Sequence, residues 1–153
     1  MVFDYFDEIR KTIEAAGRDT FFVDPYLDAD FVSRYLVHAK PGLTIRLLAR
    51  EKPATLLAAV DAFALQSGAN ITIRSSPGFH DRYVFVDSAA CYQSGASFKD
   101  GGRNASTTLT QITDAFPAMQ QTHEGLWNKA TVIRLIDPPE NLLTQEKTAD
   151  LEQ

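Results

Sequence analysis

The apolar residues of the first quarter of the chain change from a helical spacing to a strand-like one. Between residues 3 and 16 they recur three or four positions apart with charged residues between them, and Gly17 follows. This spacing predicts an amphipathic helix that ends near Gly17, because glycine commonly terminates helices. Thr20 to Val23 is rich in β-forming residues and predicts a strand, which Asp24 and Pro25 end.

Predicted helices and strands continue to alternate up to residue 74. Phe31 to Ala39 predicts a helix, and Leu43 to Ala49 predicts a strand apolar enough to be covered on both faces. Ala54 to Gln66 predicts a long helix rich in Ala and Leu, and Asn70 to Arg74 predicts the next strand. Helices that alternate with strands predict an α/β domain with a mixed or parallel sheet and helices on its faces.

The second half of the chain predicts neighbouring strands. Asp81 to Asp87 and Cys91 to Ser97 read as two strands joined by a short turn, which favours a hairpin. Leu109 to Ile112 predicts a further strand and Ala115 to Ala130 an amphipathic helix, and Val132 to Ile136 is a short apolar run.

Composition bounds the kind of protein. The 153 residues, 44% hydrophobic and 23% charged, fit one globular domain over residues 1–137 with a polar tail at 138–153. One cysteine excludes an internal disulfide or a thiolate metal site, and neither a metal nor a cofactor is expected. The sequence shows no signal peptide and no transmembrane segment, so we expect a soluble cytoplasmic protein.

Charge narrows the choice of ligand. A net charge of -5 argues against a broad nucleic-acid surface, because phosphate binding requires clustered cations. A local basic pocket is still expected from the cations in and beside one segment, Phe79 to Asp100. These cations are Arg74, His80, Arg82, Lys99 and Arg103.

That segment reads FHDRYVFVDSAACYQSGASFKD and holds the candidate chemistry. Residues two apart on a strand point to the same face, so His80 and Arg82 are predicted to present an imidazole and a guanidinium to one site. This pair suits a phosphate ester, because the guanidinium can hold the oxygens while the imidazole attacks or donates a proton.

The segment resembles the phospholipase D superfamily motif, His-x-Lys-x4-Asp followed about seven residues later by Gly-Ser or Gly-x-Ser. His80, Arg82 and Asp87 match its spacing, with Arg in place of Lys, and Gly95 and Ser97 fall near the second half. The word VDPYLD that begins at Val23 is also common in phospholipase D-like domains. The resemblance implies a phospholipase D-like α/β fold with a mixed central sheet flanked by helices on both faces.

The resemblance also implies a mechanism. In the family two motifs meet across a two-fold axis, where one histidine attacks phosphorus and the other protonates the leaving oxygen, without a metal. This chain carries one motif, so a homodimer that faces His80 with His80 is implied. The catalytic candidates are His80, Arg82, Ser97 and Asp87, with Asp87 expected to anchor the turn after its strand. The substrate-binding candidates are Lys99, Gly95, Arg74 and Arg103.

Several alternatives stay open at this point. The carboxylate that orients the histidine in many active members has no counterpart in the motif, and Asp100, Asp114 and Glu124 are the candidates for that part. Arg82 can instead form a salt bridge with Asp24 or Asp28. The other two histidines read as structural, His123 on the surface or packing face of its helix and His38 at a helix end.

Two functions compete. The first is a metal-independent, nuclease-like phosphodiesterase that forms a phosphohistidine in a homodimeric site. The second is an inactive module that binds a phosphate-containing ligand, such as nucleic acid or a phosphoinositide, or that mediates dimerisation. A third interpretation makes the chain one domain of a longer defence or restriction protein.

Overall fold

Three parallel strands form the centre of a seven-stranded sheet in the computed structural model, which describes residues 2–50, 54–98 and 108–135. The strands are β1 (Asp19–Val23), β2 (Thr44–Ala49), β3 (Asn70–Ser75), β4 (Tyr83–Val86), β5 (Ala90–Ser94), β6 (Leu109–Ile112) and β7 (Thr131–Arg134). The helices are α1 (Val2–Ala15), α2 (Ala29–Arg34), α3 (Ala54–Ser67) and α4 (Phe116–Lys129), with a 3₁₀ turn at Leu36–His38.

The strand order in the sheet is β6-β5-β4-β1-β2-β3-β7. Strands β1, β2 and β3 run parallel, as the alternation of helices and strands predicts. Strand β4 is antiparallel to β1, the strands β5 and β6 continue that antiparallel half, and β7 adds antiparallel to β3. The sheet is therefore mixed, as expected.

Both faces of the sheet are covered by helices. Phe22 of β1 and Val84 of β4 belong to the larger core, which packs against α1, α2 and α3. Their neighbours Phe21 and Phe85 point to the opposite face and pack with Trp127 of α4. Because successive residues of a strand alternate between faces, this double coverage accounts for the continuous apolar runs at 21–23 of β1 and along the whole of β4.

The hairpin of β4 and β5 is shorter than predicted. The strand expected from Asp81 to Asp87 covers only Tyr83–Val86, and its partner ends at Ser94 instead of Ser97. Asp87 and Ser88 end β4 because both adopt left-handed backbone conformations, with φ of 54° and 53°. His80 and Arg82 therefore precede the strand, and the strand-spacing argument for their common direction is wrong.

The helix predicted from Phe31 to Ala39 is divided in two. Asp28 caps the start of α2, where its carboxylate accepts the N–H of Phe31 at 3.1 Å. After Tyr35 the backbone changes to i−3 hydrogen bonds, from the N–H of His38 to the carbonyl of Tyr35 and from Ala39 to Leu36. The tighter turn closes this short helix.

Three predictions lie outside the described residues: Lys99 and Asp100, Arg103, and the tail at 138–153. Among the helices that the structure does describe, none has the length and apolar character needed to cross a membrane.

Asp87 connects the β4–β5 turn to the junction of α1 and β1. Its carboxylate accepts the backbone N–H groups of Gly17, Arg18 and Asp19 at 3.0, 2.7 and 3.0 Å. Arg18 returns a bond from its guanidinium to the carbonyl of Asp87 at 2.8 Å. The N–H donors hold the pKa of Asp87 below its usual range, because they stabilise the charged carboxylate.

We expect Asp87→Ala to destabilise the protein by about 1 kcal/mol, a small figure because the carboxylate is open to solvent. The folded-state pKa is lowered, so this contribution is present above the unfolded value, about 3.9, and is lost as the pH falls through the folded value. Urea unfolding at a series of pH values measures it.

Asp87→Asn is the matched control, since Asn tolerates the left-handed backbone and keeps one acceptor oxygen. It should lose less stability than Asp87→Ala at neutral pH. A stability difference between wild type and Asp87→Ala that stays constant from neutral to acidic pH would contradict the assigned role.

Candidate functional site

The candidate site lies at the sheet edge where β1 and β2 end and β4 begins. Val23, the last residue of β1, pairs with Leu48 on one side and with Tyr83 on the other. Asp24 and Arg82 therefore emerge side by side, next to the end of β2. The carboxyl ends of parallel strands are the usual position of binding sites in α/β sheets.

Asp24 is fully buried behind this edge and accepts hydrogen bonds from two loops. The N–H of Tyr26 donates at 2.9 Å, the N–H of Phe98 at 2.6 Å and the hydroxyl of Ser97 at 2.8 Å. Burial raises the pKa of Asp24, while these donors and the charge of Arg82 act against that rise. The carboxylate joins the loop after β1 to the loop after β5.

Ser97 does not reach the open edge. It is buried, and its hydroxyl donates to both oxygens of Asp24, at 2.8 and 3.1 Å. A hydroxyl has one hydrogen, so Ser97 in this arrangement has none to donate to a phosphoryl oxygen. The structure therefore gives Ser97 a structural part in place of the predicted catalytic one.

Arg82 lies across the loop that follows β5. Its Nη2 donates to the carbonyl of Gly95 at 3.3 Å, and Gly95 in turn donates its N–H to Thr108 at 3.0 Å. Among the described residues the buried Nε of Arg82 has no hydrogen-bond partner. Gly95 thus supports Arg82, which is half-buried with its charge near Asp24.

The alternative partners of Arg82 are engaged elsewhere. Asp28 caps α2, and the carboxylate of Asp24 is surrounded by the two loops. No ion pair joins Arg82 to either carboxylate within the described ranges, although its charge acts on Asp24.

His80 is exposed at the edge and lies beside a second guanidinium. Its Nδ1 is 3.4 Å from Nη1 of Arg50. Arg50 is held by Tyr26, whose hydroxyl accepts from Nη2 at 2.6 Å and whose ring lies 4.9 Å below the guanidinium carbon. Ser75 adds a hydrogen bond to the Arg50 carbonyl at 2.9 Å.

The Arg50 contact decides which nitrogen of His80 carries hydrogen. A guanidinium has only hydrogens to offer, so Nδ1 accepts and the hydrogen of the neutral ring is on Nε2. In this state Nε2 can donate to a phosphate oxygen. Attack on phosphorus through Nε2 requires the hydrogen to move to Nδ1 first.

Arg50 was not among the residues predicted for the site. The available signal is its position directly after the predicted strand Leu43 to Ala49, at the same edge as Asp24. His80, Arg82 and Arg50 together place two guanidinium groups and an imidazole around one edge, which suits an anion with several oxygens.

Two predicted site residues lie elsewhere. Arg74 faces α4, where its guanidinium donates to the carbonyl of Trp127 at 2.9 Å and stacks 4.5 Å from the ring. Asp87 follows the last residue of β4, while His80 and Arg82 precede its first residue, so the whole strand separates them. Neither lies at the edge that carries His80, Arg82 and Arg50.

The expected orienting carboxylate is also absent from the described part of the edge. Both oxygens of Glu124 bind Arg46, at 2.7 and 2.6 Å. Asp114 lies in the exposed turn before α4, and Asp100 lies outside the described residues. His123 is buried on the packing face of α4, not on its surface.

Comparison with known proteins identifies the fold. No family model matches the sequence, and no curated protein matches it. Two solved structures resemble it over most of both chains. The phospholipase D family member Nuc from Salmonella typhimurium has a TM-score of 0.61 and 16% identity, over 84% of this chain and 90% of Nuc. NucT from Helicobacter pylori has a TM-score of 0.60 and 6% identity, over 86% of this chain and 92% of NucT.

A third structure, the archaeal chromatin protein TrmBL2, has TM-score 0.58 and 12% identity over 86% of this chain and 51% of TrmBL2. These likenesses and the mixed sheet between helices show that the chain has a phospholipase D-like α/β fold. The fold predicted from the motif is confirmed.

Replacing Ser97 tests its structural part. We expect Ser97→Ala to lower the free energy of unfolding by about 1–3 kcal/mol, because a buried carboxylate loses a donor. Chemical denaturation measures the effect.

Ser33→Ala is the control, since Ser33 is exposed on α2. It should leave the unfolding free energy within about 0.5 kcal/mol of wild type. Full stability of Ser97→Ala would contradict the structural part assigned to Ser97.

Proposed function

We propose that this edge binds a phosphodiester group of nucleic acid and that two copies of the chain hydrolyse it. The observation that carries the proposal is the exposed imidazole of His80, with the guanidinium groups of Arg50 and Arg82 at the same sheet edge. An oxygen-rich anion satisfies two guanidinium groups better than a neutral ligand does.

The proposed reaction has two steps and needs both copies. Nε2 of His80 in one copy attacks phosphorus, so a P–N bond forms while the bond from phosphorus to the leaving oxygen breaks. His80 of the second copy begins with hydrogen on both ring nitrogens, gives its Nε2 hydrogen to the leaving oxygen, becomes neutral and then takes a proton from water. That water cleaves the P–N bond and frees the first imidazole.

Arg82 and Arg50 hold the non-bridging oxygens through both steps. The charge on these oxygens persists as the bonds to phosphorus change, so fixed cations stabilise the reaction path. Each copy supplies one His80 and one pair of guanidinium groups. A two-fold axis beside His80 therefore completes the site.

Nucleic acid is the substrate class that the comparisons favour. TrmBL2 is a chromatin protein that binds DNA, and Nuc, a phospholipase D family member, shares the fold. The net charge of -5 disfavours extensive phosphate contact. We infer that the protein binds one or two phosphates of flexible single-stranded nucleic acid at this edge.

Replacing His80 tests the catalytic proposal. Wild type should hydrolyse single-stranded DNA equally with and without EDTA, and His80→Ala should lose about 100-fold or more of that rate. Gel analysis of a labelled oligonucleotide measures it. His38→Ala, in the 3₁₀ turn away from the edge, is the control and should keep the wild-type rate. Equal activity of His80→Ala would reject the nucleophile assignment.

Mixing experiments test the two-copy site. When wild type and His80→Ala are unfolded together and refolded at known ratios, activity should follow the square of the wild-type fraction, because both histidines are required. A linear dependence would show that one copy is sufficient.

The second candidate is a module that binds phosphate without turnover. The hydrogen bond from Arg50 to Nδ1 favours it, since that contact leaves Nε2 protonated and unable to attack. Oligonucleotide binding without cleavage under any tested condition would select this candidate over the enzyme.

Both candidates predict the same effect of the cations on binding. Arg82→Gln should weaken binding of a single-stranded oligonucleotide and reduce the slope of log K against log salt by about 0.7, the value for one lost phosphate contact. Arg74→Gln, which faces α4, should leave that slope unchanged. Equal slopes for wild type and Arg82→Gln would remove Arg82 from the site.

A further inference from the structure

A buried histidine lies beneath the loop that carries His80 and Arg82. His123 of α4 is 2% exposed, and its ring packs 4.8 Å from Tyr83 and 5.6 Å from Phe85. Its Nδ1 is 2.7 Å from the carbonyl oxygen of Met119, one helical turn earlier. Its Nε2 is 3.2 Å from Oδ2 of Asp81, which lies between His80 and Arg82 in the sequence.

Both partners of this ring are acceptors. The carbonyl of Met119 has no hydrogen, and an ionised carboxylate at Asp81 has none. Two hydrogen bonds therefore require hydrogen on both ring nitrogens of His123, which makes the ring an imidazolium. The Asp81 side chain is 52% exposed to water, so solvent helps to stabilise the charge on its carboxylate.

The surroundings of His123 are consistent with a positive ring. Asp81 faces it from the loop before β4, and the aromatic ring of Tyr83 faces it from β4. Glu124, the neighbouring acid on α4, binds Arg46 with both oxygens and so neutralises that cation. The imidazolium thus has one direct ionic partner among the described residues, the carboxylate of Asp81.

We propose that His123 is a positioning residue of the phosphate site, which holds the His80-Asp81-Arg82 segment on α4 through an ionic hydrogen bond to Asp81. Asp81 is bonded covalently to both site residues, so restraining its side chain restrains the backbone that projects His80 and Arg82. Phe79 is buried on the same side of the sheet and secures the start of the segment. The role in ligand binding rests on the proposed function, whereas the charge of the ring does not.

The charge state has a direct spectroscopic test. In the ¹⁵N-labelled protein at pH 7, two-bond ¹H–¹⁵N correlation spectra should show His123 with both ring nitrogens protonated. Asp81→Asn should abolish that signature, because an amide can donate to Nε2 and a neutral ring then satisfies both partners. A neutral His123 ring in the wild type would overturn the proposal.

The positioning role is tested by separating the hydrogen bond from the charge. Asp81→Asn keeps the tether and should bind a single-stranded oligonucleotide within about threefold of wild type. Asp81→Ala removes the tether and should weaken binding about tenfold, the effect of one charge-assisted hydrogen bond. His123→Phe, which keeps the packing on Tyr83 and Phe85, should weaken binding by a similar factor.

The double variant distinguishes a tether from two unrelated losses. Asp81→Ala combined with His123→Phe should bind no more weakly than either single variant, since both remove the same contact. Thermal unfolding and circular dichroism identify any variant that fails to fold. Unchanged affinity of folded Asp81→Ala, with a wild type that binds, would overturn the positioning role while leaving the proposed function intact.

Failure of the proposed function gives a different pattern. If the wild type binds no oligonucleotide, amide hydrogen exchange of residues 79–82 replaces affinity as the measurement. Asp81→Ala should then accelerate exchange in that segment, and Asp81→Asn should not. Equal exchange in wild type, Asp81→Ala and Asp81→Asn would reject the tether.

Discussion

The buried carboxylate of Asp24 is the constraint on which the edge of this domain depends. A carboxylate without exposure to water is tolerated only where donors replace its hydration, and here they come from Tyr26, Ser97 and Phe98. The loops after β1 and β5 are fixed to each other as a result. Arg82 lies over this junction, so its guanidinium is placed by packing and by its hydrogen bond to the carbonyl of Gly95, neither of which involves a ligand.

Two further aspartates fix the ends of β4. Asp87 binds three N–H groups at the α1–β1 junction beyond the last residue of the strand, and Asp81 binds His123 before the first. Both anchor a short strand whose four residues are buried and carry no charged side chain. The segment that the sequence analysis predicted to be catalytic therefore also contains residues that hold the structure together. The acids secure the strand, and the exposed base and the half-buried guanidinium remain at the edge.

The fold could be predicted because the spacing of hydrophobic residues along the chain determines its helices and strands. Apolar residues three and four apart gave α1 and α4, and continuous apolar runs gave β1 and β2 under helices on both faces. The C-terminal end of β4 depends on the left-handed backbone of Asp87, which the spacing of hydrophobic residues does not reveal. The contact of Arg50 with His80 joins residues 30 positions apart, and the bond of Ser97 to Asp24 joins residues 73 apart. Such pairs are set by the strand order, so the sequence showed the residue types without their partners.

The state of His80 connects this geometry to the two candidate functions. In a symmetric dimer both copies of His80 begin with hydrogen on Nε2, because each Nδ1 accepts from its own Arg50. Hydrolysis needs one neutral ring with a bare Nε2 as the nucleophile and one ring protonated on both nitrogens as the acid, so neither Nδ1 can keep accepting from Arg50. A phosphate between the copies can draw both Arg50 guanidinium groups away, since its oxygens attract a guanidinium more strongly than a neutral ring nitrogen does. Once Arg50 turns to the phosphate, Nδ1 of His80 is free to hold hydrogen, and Nε2 can attack in one copy while the ring of the other copy takes up a proton. A site that keeps Arg50 on both rings binds phosphate and stops there, so the choice between enzyme and binding module reduces to where one guanidinium points when the ligand is present.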